Sequence, residues 1–270
     1  MGGKQLIVAG FHRSGTSLVC QLLHRAGLFL GYDLLGATFS NPNGHFEDAE
    51  VVELHRQILA DNGRTWRIGD FFVPVLANAH WDSMRRIVER RDAEHELWGF
   101  KDPRVCLFLP LWKYLLPRAR VLVVYRHFSE ATRSLVRRQA LEIFLGLGSR
   151  EELGQFWREP DLALRMWLVH NEALLSFARA YPEDVLAVSL DMIREGFPLV
   201  RVLNARWDLS LKEIPTGEVF DPGLTAGRRG RQPVSDRRLI GRVEAVWGEL
   251  ERLGARTQRY AKEEAKLAGG

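Results

Sequence analysis

A glycine-containing stretch near the start of the chain, GFHRSGTSLV at 10–19, constrains the fold more than any other feature. It overlaps the end of an apolar run, LIVAG, which has no polar alternation and predicts a short, fully buried strand within 4–11. After the loop, apolar residues recur at helical spacing, and Gly27 predicts the end of that helix. A strand, a tight loop and a helix in this order are typical of a loop that binds an anion through backbone N–H groups.

The loop differs at one position from the phosphate-binding loop of nucleotide kinases. That loop has the pattern G-x-x-x-x-G-K-[ST]. Gly10, Gly15 and Ser17 occupy three of its fixed positions, but Thr16 stands where the lysine belongs. Because that lysine contacts the β- and γ-phosphates of ATP, its absence weakens the interpretation as a kinase. A metal-dependent kinase and a non-catalytic nucleotide-binding protein remain as alternatives, and Arg13 supplies a positive charge within the loop itself.

A second segment, VLVVYRHFSEATRSL at 121–135, has the same local organisation. The run 120–125 predicts a buried strand that ends at Arg126, and Ser134 follows eight positions later on a predicted helix. Ser134 and Arg138 are spaced to share one face of that helix. Since parallel sheets bind ligands at the carboxyl ends of their strands, and guanidinium groups pair with phosphate oxygens, this segment predicts a second anion site.

Together the two segments resemble the signatures of sulfotransferases that use 3′-phosphoadenosine 5′-phosphosulfate (PAPS). In that family the first loop commonly runs Pro-Lys/Arg-x-Gly-Thr-Thr/Ser, and His12 here stands where proline is usual. The resemblance implies that the first loop holds the 5′-phosphosulfate, through Arg13, Ser14, Gly15, Thr16 and Ser17. It implies that the second segment holds the 3′-phosphate, through Arg126, Ser134 and Arg138. The reaction expected is transfer of a sulfuryl group to an acceptor hydroxyl, with PAP as product and no metal.

The segment WGFKDPRV at 98–105 resembles one found in the carbohydrate and tyrosylprotein branch of that family. The resemblance assigns Lys101 to the transferred sulfuryl group, with Asp102 holding either Lys101 or Arg104. A side chain must also take the proton of the acceptor hydroxyl. Glu47 fits this role best by resemblance to bacterial members with an Asn-x-x-Gly-x-x-Glu pattern, and His45 is the alternative. Asp48 is interpreted as the N-cap of the following helix.

A late basic segment, AGRRGRQPVSDRR at 226–238, is expected to close over the nucleotide. Arg228, Arg229 and Gly230 would contact phosphate there, although a solvated loop is the alternative. Ser235 is predicted to cap a final helix that begins near residue 235.

Alternating strands and helices predict a single α/β domain over 1–270, a three-layer, P-loop-like fold with a central parallel sheet flanked by helices. Helical elements on the acceptor side are expected at about 48–95 and 139–181. The net charge of +4 comes without a long basic run, so nucleic acid is not an expected partner. The acceptor is expected to be a saccharide or another small molecule.

The remaining expectations come from composition. Two cysteines, Cys20 and Cys106, are predicted to be buried thiols, and no metal site is indicated. No apolar run approaches the roughly 20 residues that cross a bilayer, so a cytoplasmic protein without a membrane span is expected.

Overall fold

The computed structural model describes residues 3–39, 44–147, 154–219, 234 and 236–268. Its strands are β1 (Lys4–Ala9), β2 (Leu97–Lys101), β3 (Arg120–Tyr125) and β4 (Val185–Ser189). The helices of the first half are α1 (Thr16–Arg25), α2 (Ala49–Asp61), α3 (Asn78–Glu94), α4 (Leu109–Leu115) and α5 (Phe128–Phe144). Those of the second half are α6 (Gln155–Arg158), α7 (Leu162–Ala180), α8 (Leu190–Arg194), α9 (Leu199–Trp207) and α10 (Arg237–Ala268). Short 3₁₀ turns cover Pro103–Leu107 and Thr216–Glu218.

The four strands form one parallel sheet in the order β2–β1–β3–β4. Side chains that alternate along β1 enter two different apolar clusters on opposite faces of the sheet. Ile7 and Ala9 pack with the cluster of α2, α3, α4, α7 and α10, whereas Leu6 and Val8 pack with that of α1 and α9. Because both faces are covered, the strands are apolar throughout, which confirms the predicted three-layer fold.

The order of the strands fixes where a ligand can approach. The chain leaves β1 toward β2 on one side and leaves β3 toward β4 on the other. Between the neighbouring strands β1 and β3 the connections therefore diverge, which opens a crevice at their carboxyl ends. Both anion-binding motifs predicted from the sequence follow these two strands.

Several helices differ from their predicted bounds. The sequence between 105 and 116 predicts one helix, but the structure divides it at Phe108. Pro110 lacks an N–H group and fits only in the first turn of a helix that starts anew at Leu109. The sequence predicts a helix from Ser129 to about Gln139, whereas α5 extends to Phe144. The short helices α8 and α9 were not predicted.

Other local predictions are confirmed. Both cysteines are buried, and Gly27 adopts a left-handed φ of 102° just after α1. The Asp48 carboxylate accepts the Glu50 N–H at 3.0 Å and so caps α2, and it also pairs with the buried Arg91. Ser235, the predicted cap of α10, lies outside the described residues. No helix among the described residues is long and apolar enough to cross a membrane.

Candidate active site

The first loop is shaped by its two glycines. A Cβ at Gly10 would clash with the Val124 carbonyl oxygen, so the loop leaves β1 in close contact with β3. Gly15 precedes α1 with a φ of 95°, a conformation that favours glycine. No described side chain caps α1, and its first turn has no acidic residue. The N–H groups that begin the helix are therefore available to an anion from outside it.

A second observation indicates a ligand at this loop. The Ser14 hydroxyl is buried and has no hydrogen-bond partner among the described residues. A buried polar atom without a partner is costly, and such atoms in native proteins usually reflect a missing ligand, ion or water. The orphaned hydroxyl and the uncapped helix N-terminus belong to the same loop.

The second motif contacts the first directly. The Arg126 guanidinium donates through Nη1 to the Arg13 carbonyl oxygen at 3.3 Å. Arg13 in turn donates through Nε to the Ser134 hydroxyl on α5, at 3.1 Å. Residues more than 110 positions apart in sequence thus meet at the crevice between β1 and β3.

Three guanidinium groups concentrate positive charge at this point. Burial first, and then the charges of Arg138 and Arg126, lower the pKa of Arg13 to about 10, although Glu142 opposes the shift. Two carboxylates hold the neighbouring guanidinium groups, since Arg126 Nε donates to Glu130 at 2.9 Å and Arg138 Nε donates to Glu142 at 2.7 Å. An anion bound here would relieve the repulsion among the three cations. Ser134 and Arg138, which are predicted to address one phosphate, contact Arg13 and Glu142 respectively.

Lys101 and Glu47 form the centre of a second group. The buried Lys101 ammonium donates to Glu47 Oε1 at 2.6 Å and to the Ser17 hydroxyl at 3.3 Å. Ser17 donates to the His45 carbonyl oxygen at 3.2 Å. Glu47 Oε2 makes no hydrogen bond to a described residue. The structure therefore joins the predicted lysine, the predicted carboxylate and the first turn of α1.

His45 lies beside this group rather than within it. Its Nε2 atom is 3.0 Å from the Thr38 hydroxyl, and its backbone N–H donates to the Leu35 carbonyl oxygen. Burial, the largest cause, lowers the pKa of His45 even though Glu47 opposes the shift. A neutral imidazole is therefore available near the predicted base at neutral pH.

Asp102 holds Arg104 and not Lys101. Its Oδ1 atom accepts the Arg104 Nε–H at 2.8 Å, and its Oδ2 atom is 2.7 Å from His55 Nδ1. The Trp112 indole N–H donates to His55 Nε2 at 2.9 Å. From the sequence alone His55 is interpreted as a packing or surface residue of a helix, since no local signal links it to Asp102, which lies 47 positions away.

His12, which replaces the proline usual in the first loop, packs against Trp66 with ring centroids 4.9 Å apart. Burial lowers the pKa of His12 well below its ordinary value, with His170 and Arg104 adding to the shift. Its Nε2 atom has no hydrogen-bond partner among the described residues. The loop therefore offers a neutral imidazole beside the crevice.

Some of the residues predicted for the site are not among those that the structure describes. Arg228, Arg229 and Gly230 lie outside the described residues, as does Asn41. Within the ranges described, no three histidine, cysteine or acidic side chains are grouped as they would be around a metal ion.

A cavity of about 870 Å³ lies elsewhere, between the segment 69–72, α7 and the start of α10. Its described lining includes Leu107, Val169 and Leu239 but none of the residues predicted for the site. The side chains that the sequence predicts for the site thus lie at the crevice and not in this cavity.

No protein-family model matches the chain, and no curated protein matches it. Among solved structures, it is similar to sulfotransferase STF1 from Mycobacterium tuberculosis H37Rv, with a TM-score of 0.52 and 14% identity over 91% of this chain and 77% of the other. Two further structures are sulfotransferase STF9 from Mycobacterium avium and the sulfotransferase domain of the Synechococcus PCC 7002 olefin synthase. Their TM-scores are 0.48 and 0.42, at 14% and 17% identity. The match to STF9 covers 99% of this chain and 77% of STF9. The match to the olefin synthase domain covers 98% of this chain and 95% of that domain.

At 14% identity the likeness to STF1 establishes a shared architecture and no more, and the other two scores are too low to add to it. The likeness nevertheless extends over most of both chains. This chain therefore has the fold of the bacterial sulfotransferase STF1.

Proposed function

We propose that this protein is a sulfotransferase that moves a sulfuryl group from PAPS to a hydroxyl group of a saccharide or another small molecule. The observation that supports the proposal most is the contact between the two motifs. Arg126 contacts the Arg13 carbonyl oxygen, and Arg13 contacts Ser134, which supports two proposed anion sites in one crevice. A donor with phosphate groups at both ends of one nucleoside suits this pairing better than a nucleotide with a single phosphate chain.

The residues at the crevice fit such a donor. The N-terminus of α1 and the orphaned Ser14 hydroxyl would hold the 5′ end, and Arg126 with Ser134 would hold the 3′-phosphate. Arg138 adds charge at the same place, as its effect on the pKa of Arg13 indicates. When bound, PAPS supplies the activated sulfuryl group. Guanidinium and ammonium groups supply positive charge around it, which is the role that Mg²⁺ has in kinases.

Glu47 is the proposed general base. Lys101 holds one of its carboxylate oxygens, and the other has no hydrogen bond to a described residue and can accept the proton of an acceptor hydroxyl. Lys101 also contacts Ser17 at the start of α1, so the same ammonium links the base to the donor loop. Arg13 and Lys101 are the proposed groups that stabilise negative charge as it develops on the leaving nucleotide. His45 is the alternative base, because its imidazole is neutral at neutral pH.

The experiment that tests the proposal is transfer of labelled sulfate from PAPS to a panel of hydroxyl acceptors. Wild-type protein should form labelled product without added divalent cation, while Arg13→Ala and Glu47→Gln should not. The matched controls are Arg118→Gln and Glu89→Gln, which change exposed residues away from the crevice and should leave transfer intact. Separate titration with PAP shows whether an inactive protein still binds nucleotide. Full transfer by both site variants would contradict the assignment, and ATP consumption that requires Mg²⁺ would favour a kinase.

A further inference from the structure

Arg104 is held in place by a buried chain of hydrogen bonds. Its Nε atom donates to Asp102 Oδ1 at 2.8 Å, and its backbone N–H donates to the same oxygen at 3.0 Å. The other oxygen of Asp102 contacts His55 Nδ1 at 2.7 Å, and His55 Nε2 accepts the Trp112 indole N–H at 2.9 Å. Asp102, His55 and Trp112 are all completely buried. Three side chains thus fix the orientation of one guanidinium group.

The chemistry of this chain fixes its protonation. An indole nitrogen only donates, so His55 Nε2 must be the acceptor and Nδ1 must carry the hydrogen that it donates to Asp102. Burial lowers the pKa of His55, which keeps the ring neutral. Burial alone would raise the pKa of Asp102, but Arg104 and His55 more than offset it, and the pKa is lowered. The carboxylate is therefore ionised and needs Arg104 as its only charged hydrogen-bond partner among the described residues.

The contact with Asp102 uses only part of the Arg104 guanidinium group. Only Nε contacts Asp102, and neither Nη atom of Arg104 makes a hydrogen bond to a described residue. The Arg104 side chain is 13% exposed, and its Nη atoms are not among the fully buried polar atoms that lack a partner, so this edge of the guanidinium reaches solvent. The pair of Nη atoms is an arrangement that accommodates the two oxygens of a carboxylate or sulfate group. A preoriented guanidinium with this edge unused is a binding group for an anion.

The position of Arg104 relates it to the acceptor and not to the donor. Arg104 lies in the turn after β2, three residues beyond Lys101, whose ammonium contacts the proposed base Glu47 at 2.6 Å. Burial lowers the pKa of Arg104, and the charges of Asp102 and then Glu47 more than offset this effect. Arg104 also contributes to the lowered pKa of His12, whose ring packs against Trp66. The guanidinium groups proposed for the donor, those of Arg13 and Arg126, belong to the separate contact with Ser134.

We propose that Arg104 binds an anionic group of the acceptor, so that the protein prefers hydroxyl compounds that also carry a carboxylate or a sulfate ester. The inference rests on the proposed function for the identity of the reaction, and it names the class of acceptor. Asp102, His55 and Trp112 are positioning residues for this guanidinium. His12 and Trp66 form the neutral and aromatic part of the same subsite.

The test compares acidic probes with neutral counterparts of the same shape. We would measure binding of 4-nitrophenyl β-glucuronide against 4-nitrophenyl β-glucoside, and of 4-hydroxybenzoate against 4-hydroxybenzamide, by saturation-transfer NMR. The two pairs distinguish an acidic sugar from an aromatic acid. The variants are Arg104→Gln, Arg104→Lys and, to avoid an unpaired buried carboxylate, Asp102→Asn with Arg104→Gln. Arg118→Gln is the exposed arginine control, and each variant is also titrated with PAP.

Wild type and Arg118→Gln should bind the acidic member of at least one pair about tenfold or more tightly than the neutral member. Arg104→Gln and the double variant should lose this preference, Arg104→Lys should retain part of it, and PAP affinity should stay unchanged. Equal binding of acidic and neutral probes by wild type would overturn the proposal. So would a preference that survives in Arg104→Gln, or a loss of PAP affinity equal to the loss of probe affinity. Absence of PAP binding in wild type would instead contradict the proposed function, while the probe comparison would still decide the role of Arg104.

Discussion

Lys101 Nζ lies 2.6 Å from Glu47 Oε1, in a contact between two residues 54 positions apart in the chain. The lysine is almost completely buried, and 11% of the Glu47 side chain is exposed. Lys101 is the last residue of β2, and Glu47 lies just before α2. The pair therefore joins the sheet to the segment that leads into α2. The contact gives the proposed base a fixed orientation and leaves its second oxygen available to an acceptor.

Replacement of the proposed base should reduce transfer without affecting the nucleotide. We expect Glu47→Gln to lower kcat by about 10²–10⁴-fold, the range that general-base catalysis contributes. The PAP dissociation constant should change by less than about twofold, because Glu47 reaches the donor loop only through Lys101, which stays in place in the variant. Single-turnover transfer from labelled PAPS and titration with PAP measure the two quantities. A comparable loss in His45→Gln with an active Glu47→Gln would identify His45 as the base.

The Lys101–Glu47 pair should also be visible in stability. Lys101→Met leaves a largely buried carboxylate without its partner, which costs about 3–5 kcal/mol in fully buried pairs. We expect about 3 kcal/mol here, since Glu47 keeps some contact with water. The double variant Lys101→Met, Glu47→Gln should be more stable than Lys101→Met alone, because the unpaired charge is gone. Urea unfolding measures both, and additive losses would show that the two residues do not interact in solution.

Ser134 should distinguish nucleotides that carry a 3′-phosphate from those that do not. The hydroxyl accepts from Arg13 and is the proposed contact of the 3′-phosphate. Ser134→Ala should weaken PAP binding by roughly tenfold, which corresponds to the loss of one hydrogen bond to a charged group. Affinity for 5′-AMP should stay within about twofold of wild type. Calorimetric titration measures the affinity of wild type and variant for PAP and for 5′-AMP. An equal loss of affinity for both nucleotides would place Ser134 outside the 3′-phosphate site.

His170 should make the protein less stable in mild acid. It is completely buried and donates through Nδ1 to the Met166 carbonyl oxygen, and burial above all lowers its pKa to about 4. The unfolded chain takes up this proton near pH 6.5, so stability is complete above that pH and falls as the pH drops toward about 4. His170 lowers the free energy of unfolding by at most about 1.4 kcal/mol for each pH unit, and by about 3 kcal/mol in total between pH 6.5 and about 4.

His170→Asn keeps an amide donor for Met166 but cannot titrate. Between pH 6.5 and 4, unfolding of the variant should therefore take up about one proton fewer than unfolding of the wild type, so its unfolding free energy should depend less steeply on pH. His55, whose pKa burial also lowers, is present in both proteins. Because His170 also adds to the lowered pKa of His12, the comparison is repeated in a His12→Asn background, where the difference isolates His170. Urea unfolding at several pH values measures the slopes, and parallel curves for wild type and variant would contradict the account.

The parts of the fold that follow from local sequence were predicted well. Strands β1 and β3 were identified from continuous apolar runs, and the loops after them from the position of glycine and arginine. The break at Phe108 was missed because the effect of Pro110 on the first turn outweighs an otherwise continuous helical pattern. Helices α8 and α9 were missed because each is short and follows its neighbour closely.

The contacts within the candidate site were harder to predict, since they join distant segments. Nothing near His55 distinguishes it from a packing histidine, because its role depends on Asp102 and Trp112, both far away in sequence. Arg104 belongs to the segment WGFKDPRV at 98–105. Only the structure shows that its Nε atom donates to Asp102 and that its Nη atoms make no hydrogen bonds to described residues. The pairing of Arg13 with Ser134 likewise depends on strand order, which fixes β1 beside β3.

The most direct test of the account is calorimetric titration of the wild-type protein with PAP, 5′-AMP and ADP in buffer without divalent cation. Arg13, Arg126 and Ser134 are proposed to select a nucleotide with phosphate groups at both the 3′ and 5′ positions. PAP should therefore bind at least about tenfold more tightly than either comparator. Binding of ADP as tight as that of PAP, or nucleotide binding that appears only after Mg²⁺ is added, would contradict it.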